Sequence, residues 1–126
     1  MRWLILILIV GLAGCNTPTP QFYGVTPISV TVEGSTYKVF RAEDRAQAIR
    51  ITPDMRQNFR AEERITYAIE IATGCEVVGA LKGDVVLADA RVDCGAGARP
   101  WPVDLHIEFY CDVEDYGSGQ VYCTEY

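Results

Sequence analysis

The chain lacks the residue spacings that mark the commonest metal and thiol sites. Its five cysteines include no Cys-x-x-Cys pair, and His106 is its only histidine. Structural zinc sites usually hold such a close pair, and thiol oxidoreductases use one as well. The sequence also has no Gly-x-Ser-x-Gly elbow and no complete phosphate-binding glycine loop. These absences argue against an enzyme, and we expect no metal or cofactor.

Positive charge is scarce in the second half of the chain. The formal net charge is −6 at pH 7, and beyond Cys75 only three basic residues oppose ten acidic ones. An acidic surface argues against nucleic acid and against anionic lipid headgroups as partners. It is compatible with a basic partner or with a cation. Asp112, Glu114 and Asp115 offer oxygen ligands for calcium, but without EF-hand spacing a solvated acidic hairpin is the favoured interpretation.

No apolar stretch reaches the roughly 20 residues that a membrane-spanning helix needs. The N-terminal apolar run, residues 3–14, follows a single positive charge at Arg2 and ends in small residues. A charged start, a short apolar core and small residues before a cut are typical of a signal peptide. We therefore expect the run to be removed rather than to span a membrane.

The apolar run ends in Leu12-Ala13-Gly14-Cys15, which resembles the lipobox of bacterial lipoproteins at every position. The resemblance implies that residues 1–14 are a signal peptide cleaved between Gly14 and Cys15, and that Cys15 carries the lipid. Two or more acyl chains attach a protein stably to a membrane. Asn16 stands where an Asp favours inner-membrane retention in enterobacteria, so the resemblance points to the outer membrane, facing the periplasm.

The segment after the lipobox is rich in proline. Pro18, Pro20 and Pro27 favour an extended backbone and oppose a helix. Residues 15–27 are therefore predicted to be a lipidated cysteine followed by a tether. At roughly 3 Å per residue, such a tether would hold the domain about 30–35 Å from the membrane.

Residues 28–126 have the patterns of a single α+β domain. Period-two alternation or β-prone composition predicts strands at residues 28–33, 36–41, 46–51, 85–93, 103–111 and 120–126. An apolar stripe that includes Ile65, Ala68 and Ile69 predicts a helix over residues 58–73, with Asn58 as its N-cap and Arg64 toward water. We expect the order β-β-β-α-β-β-β, forming a small antiparallel sheet of about six strands with the helix packed on one face.

The cysteine count agrees with the lipobox. Five cysteines is an odd number, and lipidation of Cys15 leaves four, which two disulfides account for in an oxidising compartment. A hairpin centred on residue 117 brings Cys111 opposite Cys123, within disulfide range. That pairing leaves Cys75, just past the helix, to bond Cys94 at the end of a strand.

Aromatic residues gather in the C-terminal quarter and favour an interaction face there; they are Trp101, Tyr110, Tyr116, Tyr122 and Tyr126. The body of the chain contains the blocks Thr36-Tyr37-Lys38-Val39, Arg45-Ala46, Thr73-Gly74-Cys75 and Val92-Asp93-Cys94. In these blocks it resembles small uncharacterised lipoproteins of alphaproteobacteria, and the resemblance implies no known activity.

These observations lead to one expected function and one alternative. We expect a lipid-anchored, non-enzymatic envelope protein that binds another envelope protein as an adaptor or inhibitor. The alternative is the binding of a small ligand or calcium through the acidic C-terminal face. In either case the membrane is contacted through the N-terminal lipid, and nucleic acid is not a partner.

Overall fold

The computed structural model describes residues 17–53, 60–96, 101, 107–115 and 120–125. Within these ranges seven strands form one sheet, a single α-helix lies between the third and fourth strands, and a short 3-10 helix precedes the first. The α+β class, the single helix and the two disulfides are therefore confirmed. The elements are the 3-10 helix Pro20–Phe22, β1 Ile28–Val32, β2 Ser35–Ala42, β3 Arg45–Arg50, α1 Ala61–Thr73, β4 Glu76–Gly83, β5 Leu87–Asp93, β6 Glu108–Asp115 and β7 Gln120–Glu125.

The prediction of about six strands in the order β-β-β-α-β-β-β is wrong by one strand. The additional strand is β4, which none of the predicted strands covers. Most side chains of β4 are exposed, and Gly79 and Gly83 adopt positive φ angles of 77° and 116°. Only Val77 and Leu81 of this strand are partly buried against the core, and a strand with so few buried side chains shows little alternation of apolar and polar residues, so its sequence carries little signal.

The prediction of an entirely antiparallel sheet is also wrong. The strands are arranged in the order β4-β5-β3-β2-β1-β6-β7, and β6 runs parallel to β1, with Ser29 beside Glu108 and Val32 beside Cys111. The remaining neighbours are antiparallel. The parallel pair arises because the connection from β5 to β6 crosses from one side of the sheet to the other.

Helix α1 packs on one face of the sheet and forms the main core. Ile65, Ala68 and Ile69 on the helix are buried against the inward side chains of the strands, as the apolar stripe predicted. Each large aliphatic side chain buried in this way contributes roughly 1.5–3 kcal/mol to folding. The strand residues of this core include Val30, Val32, Tyr37, Val39, Ala48, Ala90 and Val92.

The two ends of α1 differ in how well the sequence predicts them. Gly74 ends the helix in a left-handed conformation, with a φ of 67° and its N–H donating to the Glu70 carbonyl at 2.8 Å, as expected for a terminal glycine. The helix begins at Ala61 rather than at 58, after Arg60 with a φ of 54°. The predicted cap, Asn58, lies outside the described residues.

Arg64 was predicted to point toward water, and the prediction is wrong. Its side chain is only 2% exposed. Arg64 lies three residues after Ala61 and four before Ala68, so it occupies the same stripe as the buried apolar residues. Position on the helix therefore decides its burial, and the long aliphatic part of arginine is suited to packing there.

The proline-rich N-terminal segment packs on the sheet face opposite α1, called here the outer face. Phe22 is 0% exposed and contacts Phe40 and Ile49, with its ring centroid 6.4 Å from that of Phe40. The prediction of an extended tether over residues 15–27 is therefore wrong for the part around Phe22. A single aromatic residue gives no periodicity, so the sequence pattern did not reveal the contact.

A buried glutamine holds the same segment in place. The backbone N–H of Thr19 donates to Oε1 of Gln47 at 3.0 Å. Nε2 of Gln47 donates in turn to Oγ1 of Thr19 at 3.0 Å and to Oδ1 of Asp89 at 2.7 Å. Gln47 is fully buried, and burial of an amide is tolerated when its donors and acceptors are satisfied. The N-terminal segment therefore covers Gln47 on the outer face and satisfies hydrogen bonds of its amide.

Candidate interaction surface

The strand order leaves β7 at one edge of the described sheet, paired with β6 alone. Hydrogen bonds between β1 and β6 fix which way each β6 residue faces. The N–H of Ser29 donates to the Ile107 carbonyl at 3.2 Å, and that of Glu33 to the Cys111 carbonyl at 3.1 Å. The backbone of Cys111 therefore faces β1, and the alternate residues of β6 face β7.

This alternation continues into β7. Tyr110 lies opposite Thr124, and Asp112 lies opposite Tyr122, so Tyr122 and Thr124 direct their backbone groups toward β6. The intervening residues, Val121, Cys123 and Glu125, direct their N–H and C=O groups away from the sheet. No described residue lies beyond β7 to pair with them. We call this row of backbone groups the open edge.

A disulfide fixes the strand that carries the open edge. Cys111 and Cys123 are directly opposite in the ladder, with their Cα atoms 4.1 Å apart. The second disulfide joins Cys75, just after α1, to Cys94, just after β5. Both predicted pairings are confirmed. The first cross-link prevents β7 from separating from β6, so the open edge has a defined position in the fold.

Two tyrosines lie on the outer face beside the open edge. Tyr110 is 46% exposed and Tyr122 is 57% exposed, and both border a shallow depression that also includes Asp112 and Thr31. Large exposed aromatic side chains are enriched in protein interfaces. The structure therefore brings together two of the predicted aromatic residues with one of the predicted acids.

Trp101, another of the predicted aromatic residues, does not lie there. Trp101 packs against the core on the helix side, and its Nε1 donates to the Thr26 carbonyl at 2.7 Å; it is a structural residue rather than part of the exposed face. Tyr116, Tyr126 and His106 lie outside the described residues, and so do the side chains of Glu114 and Asp115. Among the described residues, no three metal-ligating side chains cluster.

The opposite edge of the sheet is built differently. The pairing of β4 with β5 shifts register between Val78 and Lys82, and Gly79 and Gly83 have left-handed backbone conformations there. Such bulges twist an edge strand and interrupt its regular row of hydrogen-bonding groups. The edge formed by β4 is therefore protected against pairing with another chain.

An open groove lies between the first turn of α1 and the turn from β4 to β5. Glu62, Lys82 and Asp84 line it with apolar neighbours. Oδ1 of Asp84 accepts hydrogen bonds from the N–H groups of Leu87 (2.9 Å) and Val86 (2.7 Å). These bonds lower the pKa of the Asp84 carboxyl below its ordinary value, and their geometry is that of a turn. Asp84 therefore has a structural role.

Among the described residues, no helix is long and apolar enough to cross a membrane. Comparison of the chain with protein-family models, with curated proteins and with solved structures finds no match.

Proposed function

We propose that the chain is a lipid-anchored, non-enzymatic protein of the bacterial cell envelope that binds another protein through the β6–β7 end of its sheet. The observation that carries the proposal is the exposed pair Tyr110 and Tyr122 on a hairpin pinned by a disulfide. Aromatic side chains held rigidly contribute large contact areas and lose little entropy when they are covered.

The cysteines support the location in the envelope. Four of the five form two disulfides, which persist in oxidising compartments such as the bacterial periplasm. The fifth, Cys15, directly follows the lipobox-like residues. A thiol at that position is the acceptor for the lipid in bacterial lipoproteins, so every cysteine of the chain is accounted for.

The packed N-terminal segment supports a short connection to the membrane. Thr19 already hydrogen-bonds to the sheet, and only four peptide units separate its Cα from that of Cys15. A fully extended chain of that length spans at most about 14 Å. With the lipid on Cys15, the outer face near Gln47 is held close to the bilayer, at less than half the distance that a free tether would allow.

Photo-crosslinking in cells tests the proposal. A photoreactive amino acid replaces Tyr122 in the anchored protein, and the matched control replaces Val78, which is 51% exposed on the opposite edge. We expect one recurrent envelope protein to crosslink from position 122 and not from position 78. Crosslinking from neither position, or equal crosslinking from both, would contradict a partner at the β6–β7 end.

A further inference from the structure

We propose that the open edge of β7 accepts an extended segment of the partner in which basic and apolar side chains alternate. The inference rests on the protein-binding function above and adds its mode and the chemistry of its ligand. An exposed strand edge is a template for one more strand, and main-chain hydrogen bonds then supply affinity while side chains supply specificity.

Among the residues that the structure describes, the open edge lacks the devices that usually prevent such pairing. Proteins protect edge strands with lysine, proline, bulges or a covering element. The strand Gln120–Glu125 contains no lysine and no proline, and its register with β6 is regular from Glu125 to Val121, shifting only toward the hairpin turn. The β4 edge of the same sheet does carry a bulge. The difference between the two edges indicates that β7 is kept available.

The backbone of the open edge provides alternate pairs of groups for an incoming strand. Val121, Cys123 and Glu125 each present one N–H and one C=O away from β6, as the β1–β6 hydrogen bonds and the β6–β7 register require. The Cys111–Cys123 disulfide holds this row in place before any partner arrives. Preorganisation reduces the entropy that binding must overcome.

The side chains define the chemistry of the incoming strand on the outer face. Next to the open edge lies the exposed ring of Tyr122, with Asp112 directly behind it on β6. Asp112 is two strand spacings, about 10 Å, from the backbone of an added strand. A lysine or arginine side chain beside Tyr122 lies over the ring and points toward the carboxylate, which favours a cation.

On the helix side of the sheet, the same incoming strand meets apolar atoms. Val121 is half-buried against the main core, and Cys123 presents its side of the disulfide there. A small or branched apolar side chain of the added strand, placed beside Val121 or Cys123, extends the apolar core onto that strand. Because side chains alternate between the two faces of a strand, the fitting segment has basic and apolar residues in turn.

Charge also distinguishes a basic partner from a second copy of the chain. The formal net charge is −6 at pH 7, so two copies repel each other while a basic segment is attracted and steered toward the sheet. Strands β6 and β7 themselves contain five acidic residues and no lysine or arginine, so the attraction for a basic segment acts at this end of the sheet.

A peptide titration tests the inference on the full-length protein in detergent. The probe is a blocked heptapeptide of alternating lysine and valine, and its glutamate counterpart is the control. We expect the lysine peptide alone to bind and to slow amide exchange at Val121, Cys123 and Glu125. Absence of binding, or equal binding of both peptides, would overturn the inference.

Two variants at one position separate the edge from the charge. Glu125→Pro removes an outward N–H without removing a bond to β6, and Glu125→Gln makes the same charge change but keeps the N–H. We expect Glu125→Pro to weaken the lysine peptide about fivefold relative to Glu125→Gln, as loss of one hydrogen bond implies. Unchanged melting temperatures confirm that both variants fold. Equal affinities for the two variants would overturn the inference.

The outcomes distinguish the inference from the function on which it rests. If a partner crosslinks from position 122 but Glu125→Pro does not weaken peptide binding, the binding function stands and the strand-addition mode is wrong. If the peptide binds at the edge but no partner crosslinks in cells, the edge accepts a strand and the proposed binding function is contradicted. A concentration-dependent dimer that Glu125→Pro abolishes would assign the edge to a second copy and overturn the basic-partner inference.

Discussion

Replacement of Phe22 by alanine tests whether the N-terminal segment is part of the folded domain. Phe22 is 0% exposed and packs on Phe40 and Ile49, so the substitution removes a buried ring and leaves a cavity. Phe→Ala changes in buried sites cost about 3–5 kcal/mol, and the small size of this cluster places the expected loss at the lower end, about 3 kcal/mol. For a domain of this length that corresponds to a fall in Tm of about 12 °C.

The control is the neighbouring residue. Tyr23 is 62% exposed, and Tyr23→Ala is expected to change the free energy of unfolding by no more than about 0.5 kcal/mol. Thermal melts followed by circular dichroism compare the two variants with the unsubstituted protein. A Phe22→Ala protein that melts together with Tyr23→Ala would refute the packing and return residues 16–27 to the status of a free tether.

Three further predictions concern covalent, backbone and ionic contributions to stability. Replacing Cys111 and Cys123 by serine, which opens a loop with a sequence separation of 12, is expected to lower the free energy of unfolding by about 3 kcal/mol in urea denaturation; a loss below 1 kcal/mol would contradict it. Gly83→Ala is expected to lower the free energy of unfolding by about 2–3 kcal/mol, because the φ of Gly83 is +116° and a Cβ would overlap a backbone carbonyl of β5. Gly79→Ala is the control: its Cβ would face open space, so the expected cost is about 1 kcal/mol. Equal costs in the same assay would be inconsistent with this geometry. Hydrogen bonds from two backbone N–H groups lower the pKa of the Asp84 carboxyl. The carboxylate therefore stabilises the fold fully above pH ~4, and this contribution is lost as the pH falls through the folded-state pKa. Asp84→Asn should then lose less stability on acidification than the unsubstituted protein, and parallel profiles of stability against pH would contradict this prediction.

Local patterns in the sequence predicted the parts of the fold that have a single buried face. Alternation in β1 and the apolar stripe of α1 each follow from one side of an element meeting the core, and both are confirmed. The disulfides were also predictable, because the register of a hairpin fixes which residues are opposite. Cys111 and Cys123 needed only that register, and Cys75 and Cys94 followed by elimination.

The features that the sequence did not predict depend on contacts between distant segments. The parallel pairing of β1 with β6 is set by a crossover between strands, and no local pattern records it. Phe22 is buried because Phe40 and Ile49 happen to lie beneath it on the sheet. Arginine is mostly exposed in proteins, so residue type predicts that Arg64 points toward water, whereas its position on the helical stripe buries it.

The candidate interaction surface could also be predicted only in part from the sequence. The tyrosines and the acidic residues were visible as a composition of the C-terminal quarter, and Tyr110, Tyr122 and Asp112 do lie together. Trp101 shares that composition and yet packs on the other side of the sheet. The open edge itself follows from the strand order, which composition does not encode.

Intact-mass spectrometry of the protein extracted from membranes is the most direct test of the lipid anchor. We expect a chain that begins at Cys15 and carries two or three acyl chains, because a single chain holds a protein only marginally. The Cys15→Ser protein is expected to lack the acyl mass and to leave the membrane fraction. A mass that begins at Met1, or an unmodified Cys15 in membrane-bound protein, would contradict the lipoprotein proposal.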